Sequence, residues 1–333
     1  MVGNGKRLAN MTRLIADIGG TSLRLAHQRD ENSALCDPVI MACADFATAE
    51  DAFADYCAKH KLDFDMLCLA VAGPVTAAQV DITNNHWQFD AGKLAVAMNL
   101  RAYLLINDFT AQAMAHRDLL QYDRSLPVNR RQILRDGTAD QTTPLLVIGP
   151  GTGLGVAALV PTGDDIQVIE GEGGHVSYAP RNSAEDMVLA HLTKEFGHVS
   201  AERIVSGPGL ESIYHCQTGD HKSAPNIGAL ALAGDAAALS AVRLMLQSLG
   251  TVAANATLSF GARAGVVIGG GIAVKLSALL GDSGLIDRFE DHGRRRPYLQ
   301  SLPLYLSVDP LAGLRGAAEA IDNRYLARRI TLV

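Results

Sequence analysis

Cysteine is scarce in this chain. The five present (Cys36, Cys43, Cys57, Cys68 and Cys216) are odd in number and form no C-x-x-C pair. That pattern offers neither a disulfide framework nor a zinc knuckle, and the thiols are expected to be reduced. Positive charge is short as well: 29 Lys and Arg face 35 Asp and Glu, for a net charge of −6. A nucleic-acid surface or an anchor on anionic lipid needs clustered basic residues. The one basic cluster, Arg294–Arg296, sits between Asp291 and Pro297 and reads as a solvated loop. No stretch holds the roughly 18 uninterrupted apolar residues of a membrane span. The opening MVGNGKRLAN lacks the apolar segment of a secretory signal. The expectation is a soluble, cytoplasmic protein with no nucleic-acid or membrane partner, and with residues 1–11 as a disordered extension.

What is abundant is apolar residues, 48% of 333, enough to bury two ordinary domains or one duplicated core. Residues 13–18 and 22–28 read as strands, as do runs at 66–72, 102–106, 145–160, 265–268 and 303–308. Helical spacing marks the stretch after Asn107, residues 184–196, an alanine-rich stretch at 229–260 and a closing segment from Leu311. Residues 121–143 show no apolar period and read as a crossing loop. Strands mixed with helices of this length imply an α/β protein.

Glycine is the informative residue. RLIADIGGTSLRLAH (13–27) and LLVIGPGTGLGVAAL (145–159) each place glycines and a threonine between two apolar runs, about 130 residues apart. Neither cluster is followed by the Gly-Lys-Ser/Thr of a Walker loop. The flanks are β-like on both sides, which excludes the strand–helix context of a dinucleotide fingerprint. A single copy would pass for an ordinary hairpin turn. Two copies suggest related halves, each offering backbone N–H groups to an anion with no Cβ in the way. Gly19, Gly20 and Thr21 on one side, with Gly151, Thr152 and Gly153 on the other, would then hold a polyphosphate. Asp17 would face Mg²⁺ through water, because Mg²⁺ dehydrates reluctantly.

Six segments occur in order: ADIGGTSLRLA, INDFTA, GPGTGLG, GEGGHVSYAP, GHVSAERIVSGPGL and VVIGGGI. Together they resemble the bacterial glucokinases of the hexokinase–actin–Hsp70 ATPase superfamily, over roughly residues 13–317. The resemblance implies a two-domain actin-like (ribonuclease H-like) α/β fold with a duplicated core and a ligand cleft between domains. The smaller domain would take residues 12–112 and 318–333, the larger 113–317. It implies an ATP-dependent kinase of glucose feeding glycolysis, with ATP and Mg²⁺ as its cofactors, acting as a homodimer. Asp108 would be the general base for the sugar 6-hydroxyl, where an unrelated chain would suggest a helix cap. Asn107, Glu172, His175 and Glu202 would bind sugar hydroxyls. Gly269 and Gly270 would approach the adenosine, and SGPGL (206–210) would lie near the nucleotide. Carboxylates, amides and imidazole suit the mixed donors and acceptors of a polyol, and suit an anionic substrate badly.

Two departures stand out. GGTS replaces the family's GGTN at Ser22, and TNNHW (83–87) replaces a TNHTW-like stretch around Trp87. The cysteine cluster that binds zinc after the GGH motif of the neighbouring ROK kinases has no counterpart before Cys216, so that zinc is not expected. A kinase for fructose, mannose or an amino sugar stays open, as does a sugar sensor without catalysis. An actin-like filament protein would have no use for the sugar-binding set.

Overall fold

The structure, a computed structural model, describes residues 11–31, 33–73, 75, 78–82, 85–120 and 130–333. The extension expected before Met11, and Asn84 of the TNNHW stretch, lie outside the described residues. In chain order the strands β1 (Arg13–Ile18), β2 (Ser22–Gln28) and β3 (Cys36–Ala42) lead to helix α1 (Ala49–His60) and β4 (Met66–Val71). A small ribbon, β5 (Gln79–Asp81) and β6 (Gln88–Asp90), precedes α2 (Ala91–Ala97), β7 (Ala102–Asn107) and α3 (Asp108–Met114). Then come β8 (Arg131–Arg135), β9 (Leu145–Pro150), β10 (Leu154–Thr162) and β11 (Asp165–Gly171). Helices α4 (Ser183–Phe196), α5 (Gly207–Thr218), α6 (Ala224–Leu232) and α7 (Ala236–Phe260) follow, then β12 (Gly265–Ile268) and α8 (Gly271–Lys275). The chain closes with β13 (Leu304–Ser307), α9 (Ala312–Asp322) and β14 (Thr331–Leu332).

Two units result. The first comprises the chain up to Arg117, Thr162–Val168 and Pro310–Val333; the second comprises Asp118–Pro161 and Ile169–Asp309. The sheet of the first runs β14-β7-β4-β1-β2-β3, and the other sheet runs β8-β13-β12-β9-β10-β11. The two share one plan. An antiparallel hairpin (β1–β2, β9–β10) is flanked on its outer side by a third strand. On its inner side lie two successive parallel strands (β4 and β7, β12 and β13). An antiparallel edge strand, β14 or β8, closes each. This is the duplicated core of the actin-like ATPase fold.

Strand β1 is buried at all six positions, charged Arg13 included. Its guanidinium is met by a bidentate pair, Nη1 and Nη2 each donating at 2.7 Å to Asp322 of α9. Without that partner a buried guanidinium would be strongly unfavourable. The tip of the β10–β11 hairpin belongs to the first unit. Asn323 Nδ2 donates there to Asp165 Oδ1 (2.9 Å) and the Ile166 carbonyl (2.7 Å).

Two expectations are corrected. The loop read at 121–143 contains β8, an edge strand paired antiparallel with β13; its half-exposed sequence RQILR hides the alternation. The helix read across 229–260 is two helices. Gly234, at φ 91°, reverses the chain, and Asp235 caps α7 by accepting from Ala238 N at 2.8 Å. At 25 residues, with a mean hydropathy of 1.3, α7 has the length and composition to cross a membrane, but 67% of its 18-residue apolar window is buried. It is a core helix, reading as apolar because neighbours surround it.

Candidate active site

In the first unit, Asp17 lies near the end of β1, with only 4% of its surface exposed. Arg24, opposite it on β2, donates to Oδ2 at 3.2 Å. Burial pushes the Asp17 carboxyl up, and the Arg24 charge and hydrogen bond pull it back. Two strands away, β7 ends in Asn107 and α3 begins with Asp108. Asn107, not Asp108, is the helix cap: its Oδ1 accepts from Phe109 N at 2.8 Å, and its Nδ2 donates to the Gly73 carbonyl at 3.0 Å. Asn107 is extended (φ −69°, ψ 145°), as a cap residue is. The Asp108 carboxylate keeps local hydrogen bonds of its own, from the Phe109 and Asp108 amides and the Asn107 side chain. That carboxyl is pushed up to about 7, first by desolvation and then by the charge of Asp17, against the hydrogen bonds of the helix start.

The turn of the first hairpin is closed by Gly19 N donating to Ser22 O at 2.9 Å. The amides of Gly20 and Thr21 donate to no backbone carbonyl among the described residues. Asn85 supports the turn from outside, its Nδ2 donating to Gly19 O at 3.2 Å and its Oδ1 accepting from Trp87 N at 3.0 Å. Trp87 is buried, and its indole donates to Phe46 O at 3.3 Å. Asp17 also depends on a residue the sequence gave no reason to single out. A Cβ on Gly313 of α9 would stand 2.2 Å from Asp17 Oδ2.

In the second unit the equivalent turn is closed by Gly151 N donating to Gly153 O at 2.8 Å, and again the Thr152 and Gly153 amides donate to no backbone carbonyl among the described residues. The start of α5 comes up to this turn, with Gly207 N donating to Gly151 O at 2.9 Å. Gly269 N donates to Ile148 O at 2.8 Å, which draws the 269–271 turn beside it. Amides, a helix N-terminus and small residues thus converge, the arrangement that receives phosphate oxygens.

Glu202 reaches the same turn. Its Oε2 accepts from Leu154 N at 2.9 Å, and a Cβ on Gly153 would lie 2.3 Å from that oxygen. Glu172 and His175 face each other across the short Gly173–His175 turn, Nε2 to Oε2 at 3.7 Å, with side chains 80% and 59% exposed. The segment after this turn is tied to the one bearing Glu202 by Ala201 N donating to Val176 O at 2.8 Å. The structure therefore brings Glu172 to His175, Glu202 to the second glycine turn, and Asp17 into the field of Asp108. Asn85, Gly207 and Gly313 escaped the sequence reading. Asn85, inside TNNHW, and Gly207, inside SGPGL, had a signal nearby, and Gly313 had none.

The glucokinase family model matches residues 14–324. The chain is 36% identical over 319 residues to the glucokinase of Hahella chejuensis, covering 93% of this chain and 97% of that one. A crystal structure of glucokinase from an Antarctic psychrotroph superposes with a TM-score of 0.80 at 32% identity, over 93% and 98% of the two chains. A Streptomyces griseus ROK-family glucokinase in complex with glucose and AMPPNP shares the fold, with a TM-score of 0.63 at 20% identity over 92% and 98%. With the two hairpins, the shared sheet plan and these likenesses together, the chain belongs to the glucokinase family.

Proposed function

We propose that the protein transfers the γ-phosphoryl group of ATP to the 6-hydroxyl of D-glucose, with Asp108 as the general base. The observation that carries this reading is the Asp108 carboxyl itself. It stands at a strand end, next to the Asn107 cap, and is raised to about 7 by burial and by Asp17. A carboxylate so placed is poised to take a proton near neutral pH. The glucose 6-oxygen attacks the γ-phosphorus, its proton passes to Asp108, and ADP leaves with the electrons of the broken P–O bond. Phosphoryl transfer asks for alignment and charge neutralisation above all. Gly20, Thr21, Thr152 and Gly153 would supply amide and hydroxyl donors to the phosphates, and the Gly269–Gly270 turn would approach the adenosine.

Mg²⁺ bound with ATP would neutralise phosphate charge. Asp17 would reach it through water, its Oδ2 accepting from Arg24 and its Oδ1 taking no side-chain donor among the described residues. Glu172, His175 and Glu202 would take sugar hydroxyls, joined by Asn107. Homodimerisation belongs to the same reading and is checked by light scattering.

A coupled ADP-release assay with Mg²⁺-ATP tests the proposal, using glucose, fructose, mannose and N-acetylglucosamine with wild type and Asp108→Asn. Turnover of glucose alone, lowered about 10²–10⁴-fold in the variant, is expected for a general base. Preference for another hexose would redirect attention to Ser22 and the Asn85–Trp87 stretch. Undiminished turnover in Asp108→Asn would remove the base from the mechanism.

A further inference from the structure

On the first unit, at the end of β2 remote from the glycine turn, His27, Asp37 and His60 form a cluster that the kinase chemistry does not use. One ligand atom from each lies within 4.8 Å of the other two. His27 Nε2 is 3.9 Å from Asp37 Oδ2, and His60 Nδ1 is 3.5 Å from the same oxygen. Ligands of a tetrahedral ion at Zn–N and Zn–O distances of about 2.0–2.1 Å stand roughly 3.3 Å apart. Against that spacing the His60 edge is nearly right, and side-chain rotation of the order of an ångström would close the three around one ion.

Three local features support a site over a chance meeting. The first is the tautomer of His27. Tyr56 OH donates to the Asp37 carbonyl at 3.1 Å, and His27 Nδ1 lies 3.0 Å from the same hydroxyl oxygen. With the hydroxyl proton already committed, Nδ1 must be the donor, which leaves the lone pair on Nε2, the atom facing Asp37 and His60. The second is burial: the His27 side chain is 4% exposed, and its Nε2 is beyond hydrogen-bond reach of the Asp37 carboxylate. The third is the backbone of Asp37, held at φ 47° just beyond a register shift between β2 and β3. A non-glycine residue in the left-handed region is a strained conformation that the surroundings must maintain. His60 is the last residue of α1, where the helix dipole favours a cation.

We infer that His27 Nε2, His60 Nδ1 and Asp37 Oδ2 form a binding site for a transition-metal dication, Zn²⁺ foremost, that ties edge strand β3 and helix α1 to β2. Two imidazoles and a carboxylate suit Zn²⁺ and disfavour Mg²⁺, which prefers oxygen ligands. Asp37, 60% exposed, opens the site to solvent on one side, so water would complete the coordination. The site is distinct from any cysteine cluster after the GGH motif, and it uses neither Asp17 nor Asp108.

The test is a Zn²⁺ titration of the chelator-treated full chain by calorimetry, with the visible spectrum of the Co²⁺ form as a check on geometry. Wild type, His60→Gln, Asp37→Asn and Tyr56→Phe are compared, each first shown to melt cooperatively and to phosphorylate glucose. One equivalent bound by wild type is expected, with tetrahedral Co²⁺ absorption. His60→Gln should abolish stoichiometric binding. Tyr56→Phe, which keeps the ligands and removes only the group that fixes the tautomer, should weaken it about 10-fold. No stoichiometric binding by wild type would overturn the inference. So would binding unchanged in His60→Gln, which would place the ion on other imidazoles such as the stacked His215 and His221.

Discussion

At the scale of single residues, the proposed reaction comes down to one carboxyl, Asp108, whose ionisation is opposed by burial and by the charge of Asp17. Asp108 must be ionised to accept a proton, and its folded pKa is about 7. Accordingly, kcat/KM for glucose should climb with unit slope below pH 7 and level off above it, a profile read from initial rates across pH. Because Asp17 is the second cause of the shift, Asp17→Asn should move the inflection to lower pH in whatever activity remains. The same shift has a consequence for stability. A carboxyl whose folded pKa lies above its unfolded value favours folding only while protonated. Its contribution is full below about pH 4 and is lost as pH rises through 7. Asp108→Asn should therefore melt higher than wild type at pH 8 while turning over far more slowly, and a thermal scan beside the rate assay shows whether both hold. Asp108 was legible in the sequence through INDFTA, but the division of labour with Asn107 was not. Both residues are good caps, and only the backbone decides which one stands at the helix boundary.

Elements carry the next level. The hairpins β1–β2 and β9–β10 were readable to the residue or nearly so, since glycine punctuates two apolar runs too short for helices. Strands β3 and β8 were missed because both are partly exposed edge strands whose polar residues break the alternation. Glycines inside elements were harder still. Gly313 in the last helix looks like a weakness there, at about 1 kcal/mol relative to Ala, yet it makes room for Asp17. Gly313→Ala should leave the fold intact and cut kcat by displacing the Asp17 carboxylate, the loss partly recovered at raised Mg²⁺. Gly153→Ala meets the end of a flexible side chain, Glu202. The carboxylate should swing away, raising the glucose KM by roughly 10-fold for a lost hydrogen bond to a charged group, with the melting temperature little changed. An unaltered KM would mean that Glu202 does not serve the sugar.

At the scale of the molecule, the chain leaves the first unit after Arg117 and returns to it at Pro310. No composition shift marks either point, and the hairpin tip Thr162–Val168 that joins the same unit carries no signal at all. Such assignments come from long-range contacts, which a linear pattern does not encode. The return is fastened by Arg13 and Asp322, 309 positions apart. Asp322→Ala leaves a fully buried guanidinium unpaired. Discounted for the partial exposure of the aspartate, it should cost about 2–4 kcal/mol in a denaturant titration. Arg13→Met, which removes the buried charge together with its need for a partner, should cost less.

The placing of Gly313 against Asp17 also sets a timetable for synthesis. Strand β1, bearing Asp17, is among the first segments to leave the ribosome, whereas the helix that backs it is among the last. A nascent chain can complete the second unit, with its own glycine turn and Glu202, long before Arg13 has a counter-ion. A translation product truncated before residue 312 would thus carry Asp17 without the helix that packs against its carboxylate, and Arg13 without its counter-ion.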